Sequence, residues 1–289
     1  MFSHVAIIAE RAVRYNLTRM ILPFLAFAWY WLATFAMVLG MHGTENAAPR
    51  PFGGRKLWPW FAVIAIGLHA GAHIWVAYQL GALDMHFLAA ISLVTLGMAA
   101  MTLLLIREGK MANAGLITFP LASLAVLGYQ LAGHPASSQI DSWPLVLHAW
   151  IALLSAATLA VSAIFAVMLW LQERALQKRQ WHHTLMSLPP LVTIETMLFR
   201  SIKLGFALLT LTLLTGIVFV SDLFAQHLAH KTILSIISWL IFGALLLGRW
   251  KYGWRGTRAA KWTLVAFAIL FLSFFGAGYA MEYVLKTKP

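Results

Sequence analysis

The chain of 289 residues is 61% hydrophobic and only 10% charged, which excludes a soluble domain, because such domains carry about 25% charged residues. Its formal charge of +12 does not indicate nucleic-acid binding, since Lys and Arg collect in the cytoplasmic loops of inner-membrane proteins. The chain contains no Cys, which excludes disulfides, thiolate ligands and thiol relay chemistry.

Eight long apolar runs predict eight membrane-spanning helices. In chain order they occupy residues 21–41, 57–80, 87–106, 113–132, 143–170, 201–221, 233–249 and 262–285. A helix of about 20 apolar residues crosses a bilayer, and continuous runs differ from the alternating pattern of a transmembrane β-barrel. The predicted fold class is therefore all-α, a polytopic transmembrane helical bundle. Its fifth helix is expected to continue through residues 171–180, beyond the membrane.

Residues 1–20, before the first span, have a different character. They carry Arg11, Arg14 and Arg19 and lack the apolar core of a signal peptide. We interpret this leader either as an interfacial helix or as the product of a start codon assigned too early, with Met20 as the alternative start. The rest of the chain divides into a four-span N-terminal half, 21–132, and a four-span core, 143–285.

The distribution of Lys and Arg predicts the orientation of the bundle. Fifteen of the 21 lie in or beside the connections that follow the first, third, fifth and seventh spans, and basic loops stay in the cytoplasm. Both termini are therefore expected on the outer, periplasmic side of a bacterial inner membrane. The lipid bilayer is the expected surrounding of the spans.

Most of the 11 histidines fall towards the outer face in this orientation. His148 lies about one turn inside the outer end of the fifth span. His73 lies in the outer half of the second span, and His69 is one turn deeper. The outer connections contain His86, His134, His227 and His230. We expect His86 and His134 to be ordinary loop residues.

Two pairs of these histidines have spacings that place both imidazoles on one side of a helix. His69 and His73 are four residues apart, and His227 and His230, three residues apart, differ by about 60°. Neutral imidazole is an axial ligand for haem iron and a ligand for transition metals. A membrane histidine also serves simply as a hydrogen-bonding group, so both interpretations stay open.

The second span also carries a GxxxG motif. Gly67 and Gly71 lie on roughly the opposite face from the two histidines. Small residues at this spacing let two helices approach closely, so we expect the second span to pack through its glycines.

Flat aromatic side chains accompany the outer histidines. Trp143 and Trp150 lie on either side of His148 in the sequence, and Phe224 precedes His227. Each of the three could lie along a porphyrin. Tryptophan near the end of a span is also a common interfacial anchor.

The spans lack the groups that several other chemistries need. No Asp, Glu, Lys or Arg lies in the middle of a predicted span, which argues against ion-coupled transport, because buried ionisable groups perform the coupling. The chain has no P-loop, HExxH or GxSxG motif, and we assign no residues to a metal site. Hydrolase and NTPase chemistry therefore have no support in the sequence.

Three stretches of the second half share one pattern. They are LVLHAWIALLSAATLAVSAIFAVMLWLQERAL at 145–176, LPPLVTIETMLFRSIKLGFALLTLTLLTG at 188–216, and HKTILSIISWLIFGALLLGRWKYGWRGTRAAKWTLVAFAILFLSFFG at 230–276. The WLIF…R…GWRG…A segment and the R-x-I-x-x-G-F-x-L-L-T pattern at 200–210 are the most specific. In these stretches the chain resembles the cytochrome c assembly family, which includes CcsA and CcmC, and most closely its YpjD-like bacterial branch.

The resemblance implies a membrane protein that holds haem at the outer face and presents it to apocytochrome c, together with other cytochrome c maturation components. In the family, histidines beside a tryptophan-rich loop, the WWD motif, hold the iron. His148 occupies the place of the histidine that opens the family's core region. Residues 224–231, FAQHLAHK, occupy the place of the WWD loop but lack its W-x-W-D core.

The leading hypothesis is a haem-binding or haem-presenting inner-membrane protein in which His148 supplies one axial ligand and His227 or His230 the other. In this interpretation the protein itself makes no bond, so it is a carrier rather than an enzyme. Further candidates for contact with the haem are Trp143, Trp150, Phe224, His69 and His73. The alternative is a permease-like or accessory membrane subunit for a metal ion or small solute, in which the haem site has degenerated. A purely structural partner in a larger complex is the third interpretation.

Overall fold

The computed structural model of the protein consists almost entirely of helices. It describes residues 2–41, 54–105, 114–132, 139–140, 142–178, 190–219 and 226–276, with their side chains except those of residues 2–19, 41, 54–56, 105, 139 and 226–228. The helices are α1 (Phe2–Met41), α2 (Gly54–Leu80), α3 (Phe87–Leu105), α4 (Gly115–Leu131), α5 (Trp143–Gln177), α6 (Leu191–Phe219), α7 (Gln226–Tyr252) and α8 (Gly256–Phe271). A π-helical turn, Leu272–Gly276, follows α8, and two short strands are β1 (Leu83–Asp84) and β2 (Gln139–Ile140).

The predicted fold class, an all-α polytopic bundle, is confirmed. Among the described helices, seven are long and apolar enough to cross a membrane, and α4, at 17 residues, is shorter. Large apolar side chains cover the outside of the helices; Ile74, Ile217 and Leu247, for example, are more than 60% exposed. Such a surface is stable in lipid, because hydrocarbon solvates apolar side chains as well as a protein core does.

Three helices begin earlier than the apolar runs predict. Residues 2–20 continue the helix of the first span without a break, α6 begins at Leu191 rather than near 201, and α7 begins at Gln226 rather than near 233. Hydropathy detects only the part of a helix that suits hydrocarbon, whereas its backbone hydrogen bonds continue through polar residues. The stretch QHLAHK, residues 226–231, is therefore helical and not the loop that we expected.

The chain divides into two compact units. Unit 1 comprises Met1–Ser92 and Phe119–Ile140, and unit 2 comprises Leu93–Thr118 and Asp141–Pro289. In unit 1, α1 packs along α2, and Ala26, Ala72 and Val126 form a small core. Strand β1 pairs antiparallel with β2, with Leu83 opposite Ile140. This ladder ties the connection after α2 to the segment after α4.

Helix α5 lies at the centre of unit 2. Every residue from Ser155 to Ala163 is buried, and α5 packs against both α6 and α8. The contact with α6 is close at Gly205, where an added Cβ would lie 2.6 Å from side-chain atoms of Leu159. The hydroxyl of Ser155 donates a hydrogen bond to the Gly205 carbonyl at 3.2 Å. Small residues thus let the two backbones approach, as is usual between helices in membranes.

The GxxxG motif of α2 does not pack as we expected. A Cβ added at Gly67 or at Gly71 would meet no atom within 4 Å among the residues that the structure describes. The helix instead uses its opposite side, with Ala65, Ala72 and Val76 buried. The two glycines do share one face of α2, as their spacing predicted. The face that packs inside unit 1 is instead the one that carries the buried polar residues.

Candidate functional site

Two histidines of α2 meet one serine of α3 in the interior of unit 1. The Nε2 atoms of His69 and His73 lie 2.8 and 2.9 Å from the hydroxyl oxygen of Ser92, and all three residues are buried. The hydroxyl of Tyr30, on α1, lies 3.2 Å from Nδ1 of His69. The spacing of four residues therefore does bring the two imidazoles to one face, as predicted.

The hydrogen-bond capacity of Ser92 restricts the protonation of both histidines. A serine hydroxyl donates one hydrogen bond and accepts up to two. At most one of the two Nε2 atoms can therefore accept from Ser92, and at least one of them donates its proton to the hydroxyl oxygen.

A stack of three rings continues from His73. The ring of Tyr129, on α4, lies between those of His73 and His86, with centroid distances of 4.1 and 5.7 Å and an interplanar angle of 18° to each. Nδ1 of His86 lies 2.8 Å from Oδ1 of Asp84, and both residues are buried. His86 does lie in the connection before α3, but it is not the ordinary loop residue that we expected, because its side chain is part of the core.

We refer to these seven residues, which form one continuous polar group inside unit 1, as the histidine column: Tyr30, His69, His73, Asp84, His86, Ser92 and Tyr129. Ring contacts continue beyond it, from Tyr30 to Phe119 at 5.9 Å and from Phe119 to Trp58 at 6.2 Å between centroids. Each polar member of the column therefore has a polar or aromatic neighbour, as buried groups in a membrane require.

The connection between α2 and α3 positions one end of the histidine column. Gly81 follows α2 with a φ of +67°, a left-handed conformation that glycine adopts without strain. The chain then enters β1, and Oδ1 of Asp84 accepts hydrogen bonds from both Nδ1 and the backbone N–H of His86. Because β2 holds β1 in place, the short ladder fixes the Asp84–His86 pair.

His148 lies in a separate place, near the start of α5 in unit 2. It is half-buried, and its Nδ1 lies 3.0 Å from the hydroxyl oxygen of Thr215 on α6. That hydroxyl also lies 2.8 Å from the Leu211 carbonyl and 3.1 Å from the Thr212 carbonyl. When the threonine proton points to one of these carbonyls, His148 donates from Nδ1 and its lone pair is on Nε2.

The first turns of α7 carry the other two predicted ligands. His230 is exposed, and the carbonyl of the next residue, Lys231, accepts a hydrogen bond from the Ser273 hydroxyl at 2.7 Å. His227 is on the same helix, but its side chain lies outside the described residues. Because α6 ends at Phe219 and α7 begins at Gln226, this end of α7 is the end at which Thr215 holds His148.

The aromatic candidates differ in their positions. Trp143 is 71% exposed and makes an edge contact with Phe219 at 6.1 Å between centroids, and Trp150 is 40% exposed. Both lie on α5 within two turns of its start, so they flank His148 along the helix as the sequence indicated. Phe224 lies outside the described residues.

Among the predicted ligands, the structure brings His69 to His73 within unit 1. Within unit 2, it places His148 against Thr215. Within the described ranges, no group of three or more His, Asp or Glu side chains is placed to hold a metal ion.

A buried ion pair at the other end of unit 2 was missed by the sequence analysis. Glu195, on α6, is 3% exposed, and Oε1 accepts a hydrogen bond from Nη1 of Arg249 on α7. Oε2 lies 3.7 Å from Nε of Arg255. The expected start of the sixth span near residue 201 placed Glu195 in a loop, whereas α6 begins directly after Pro190. The sequence does contain a signal for this earlier start, a proline followed by an apolar run, because proline favours the first turn of a helix.

The fold and these sites define a class: a polytopic helical membrane protein with histidines buried inside it and exposed at one end. The family model for the cytochrome C assembly protein matches residues 57–285. The chain therefore belongs to the cytochrome c assembly protein family.

Relatives agree with this assignment. The inner membrane protein YpjD of Escherichia coli (strain K12) is 30% identical over 178 residues, which are 60% of this chain and 67% of YpjD. Protein HemX of Brevibacillus brevis is 30% identical over 142 residues, or 48% of this chain and 52% of HemX. The cytochrome c biogenesis protein CcsA of Gloeobacter violaceus is 30% identical over 92 residues, or 31% of this chain and 27% of CcsA.

Proposed function

We propose that this protein binds haem at the outer face of the inner membrane, with His148 as one axial ligand. The observation that carries the proposal is the hydrogen bond between Nδ1 of His148 and the Thr215 hydroxyl. With Nδ1 as the donor, this bond leaves the lone pair on Nε2, the state in which histidine ligates iron, and such outer partners raise ligand basicity. Family membership supports the choice of haem over other cofactors.

The second axial ligand is assigned to the start of α7. His230 is exposed, and position 227 is three residues earlier on the same helix, a spacing that differs by about 60° around a helix. The hydroxyl of Ser273 holds the backbone of this turn through the Lys231 carbonyl. A haem between α5 and this turn would have a partly exposed edge, which suits a carrier that later releases or presents its ligand.

In this proposal the chain's own residues bind and orient rather than react. Haem supplies a redox-active iron and a flat apolar surface when bound. Trp150 and Trp143, both exposed near His148, would cover that surface and exclude water. No bond is made or broken by the protein, so it acts as a carrier and not as an enzyme, with cytochrome c maturation components as its partners.

The test is the visible spectrum of the full chain purified from its own membranes. We expect a Soret band that is lost in the His148→Ala variant and in the double variant His227→Ala/His230→Ala. Thr215→Val should weaken haem affinity about 10- to 100-fold, because it removes the outer partner of the ligand. Thr196→Val is the matched control, since among the described residues that hydroxyl bonds to its own helix, at the Val192 carbonyl. A colourless protein that takes up no added haem would refute the proposal.

A second candidate function is supported by the convergence of two imidazoles in unit 1. The Nε2 atoms of His69 and His73 approach one oxygen atom of Ser92, and imidazole pairs bind Zn, Cu, Ni and Co ions. This corresponds to a permease-like or accessory subunit for a metal ion. Metal and haem contents of one detergent-purified sample separate the two functions. Metal that disappears in His69→Ala/His73→Ala, with no haem in either sample, supports the second candidate.

A further inference from the structure

The turn between α7 and α8 packs around Trp254. The Trp254 ring lies against Gly248, where an added Cβ would be 2.5 Å from the ring. The Trp254 backbone N–H donates to the Gly248 carbonyl at 3.1 Å, and Gly253, with a φ of +65°, donates to the Arg249 carbonyl at 3.2 Å. These two hydrogen bonds fix the backbone at Trp254, and Gly248 gives its ring a close packing surface.

Arg249 completes this framework from inside. It donates to the Glu195 carboxylate and, at 3.2 Å, to the Trp254 carbonyl, and its guanidinium lies 4.7 Å from the centre of the Phe199 ring. The one charge of Glu195 is therefore shared between Arg249 and Arg255, whose Nε lies 3.7 Å from Oε2. Lys251 and Arg258 are exposed at the surface of the turn.

Two arginines at the start of α8 lie beside this framework and are exposed. The Arg258 guanidinium lies 4.0 Å from the centre of the Trp254 ring, and the Arg255 side chain is 66% exposed. A guanidinium stacked flat on an aromatic ring keeps its N–H edges free, and these edges match the oxygens of a phosphate. Because the backbone at Trp254 is fixed and its ring is closely packed, Arg258 loses little freedom when it binds such a group.

The carboxylate of Glu173 also lies near the turn, but on its inner side, away from the exposed cations. Glu173, on α5, faces Gly256, where an added Cβ would lie 2.9 Å from Oε2. That oxygen is buried, so the carboxylate covers the inner side of the first turn of α8. Arg255, Arg258 and Lys251 are exposed on the outer side.

Aromatic side chains beside these cations indicate that the partner is a lipid. Trp250, Tyr252 and Trp262 are 85%, 69% and 44% exposed, and Trp and Tyr at the ends of spans lie at the level of lipid headgroups. Lys251 lies over the Tyr252 ring at 5.8 Å. An acidic segment of a soluble protein would leave these aromatic rings in water, whereas a lipid contacts the rings and the cations together.

We propose that Arg258, stacked on Trp254, together with Arg255 and Lys251, binds the phosphate of an anionic phospholipid headgroup. This site is independent of the haem proposal. Basic residues in a membrane-surface cluster attract anionic lipid, and the closely packed Trp254 ring makes this one discrete site rather than a diffuse attraction. In the predicted orientation it lies in the cytoplasmic leaflet.

The test is native mass spectrometry of the full chain in detergent, titrated separately with phosphatidylglycerol, phosphatidylcholine and inorganic phosphate. We expect preferential binding of phosphatidylglycerol, weakened about fivefold by Arg258→Gln and again by Arg255→Gln. Arg258→Lys, which keeps the charge but not the stacked fork, should be intermediate. Lys178→Gln, an exposed residue at the end of α5, is the matched loss of charge and should have no effect.

Three outcomes would overturn the proposal. The first is equal binding of phosphatidylglycerol and phosphatidylcholine. The second is an equal loss of binding in Lys178→Gln, which would indicate general charge attraction. The third is displacement of the lipid by millimolar inorganic phosphate, which would indicate a site for a soluble anion. Circular dichroism and a monodisperse elution profile confirm that each variant is folded before its binding is compared.

Discussion

The hydroxyl of Ser92 is shared by two buried imidazoles, and its loss should affect both. Ser92→Ala removes this hydrogen-bond partner from the Nε2 atoms of both His69 and His73 inside unit 1. We expect a decrease of about 1–3 kcal/mol in the free energy of unfolding, because an unsatisfied buried polar group costs this much. Thermal and denaturant unfolding in detergent measure it.

The control for this prediction is another buried serine of unit 1. The hydroxyl of Ser123 donates only within its own helix, to the Pro120 carbonyl at 2.7 Å, so Ser123→Ala should change stability much less. Equal effects of the two substitutions would show that Ser92 does not organise the two histidines.

Loss of Arg249 and loss of Glu195 should lower the free energy of unfolding by different amounts. The side chain of Glu195 is 4% exposed and that of Arg249 is 38% exposed. Arg249→Ala leaves a buried carboxylate without its main partner, which costs about 3–5 kcal/mol. Glu195→Ala leaves a cation that can reach water, so the loss should be nearer that of one charged hydrogen bond, about 1.5–3 kcal/mol.

Equilibrium unfolding of the two single variants and the double variant measures this asymmetry. The double variant should be closer to Glu195→Ala than to Arg249→Ala, because it contains no buried charge. The reverse order of the two single variants would contradict the geometry of the pair.

At the scale of residues, the sequence predicts which side chains share a face of a helix. It does not predict which side chains on other helices they contact. The spacing of His69 and His73 correctly indicated a shared face, because that spacing follows from the helical repeat alone. Ser92, Tyr30 and Tyr129 are on other helices, and no local pattern relates them to α2. His148 was identified through a family resemblance, and its partner Thr215 became visible only in the structure.

At the scale of elements, alanine substitutions at two glycines on different helices should change stability in opposite directions. An added Cβ at Gly205 would lie 2.6 Å from Leu159, which is fully buried and cannot move aside freely. Gly205→Ala should therefore destabilise the α5–α6 contact by about 1–3 kcal/mol. The same change at Gly67 meets no described atom within 4 Å and should stabilise α2 by up to about 1 kcal/mol, because alanine favours helix.

Fluorescence-detected size-exclusion chromatography after heating compares these two variants with the unchanged protein. A destabilised Gly67→Ala variant would indicate that this face of α2 packs against another molecule. An unaffected Gly205→Ala variant would contradict the close approach of α5 and α6.

Helix existence was easier to predict than helix length. The eight apolar runs correspond to eight described helices, because hydrocarbon thickness sets the length of each run. The starts of α6 and α7 were placed about ten and seven residues too late. At those starts polar residues such as Glu195 and Lys231 bond to neighbouring elements, and hydropathy contains no information about such tertiary contacts.

At the scale of the whole molecule, the predicted orientation has a direct test, because the chain contains no Cys. Ser142 and Lys178 are exposed at opposite ends of α5. In the predicted topology, with basic connections in the cytoplasm, Ser142 faces outward and Lys178 inward. A membrane-impermeant maleimide should label Ser142→Cys in intact spheroplasts and should label Lys178→Cys only after permeabilisation. The opposite pattern would reverse the topology and move His148 to the cytoplasmic side.

The pairing of β1 with β2 has a consequence for biosynthesis. The strand that pairs with Leu83 and Asp84 is at residues 139–140, so a ribosome must finish α3 and α4 before the ladder can form. Until α4 has been synthesised, His73 also lacks the Tyr129 ring that stacks on it. The nascent chain therefore passes through a stage in which His73 is without its final ring contact, and synthesis of the fourth helix ends that stage.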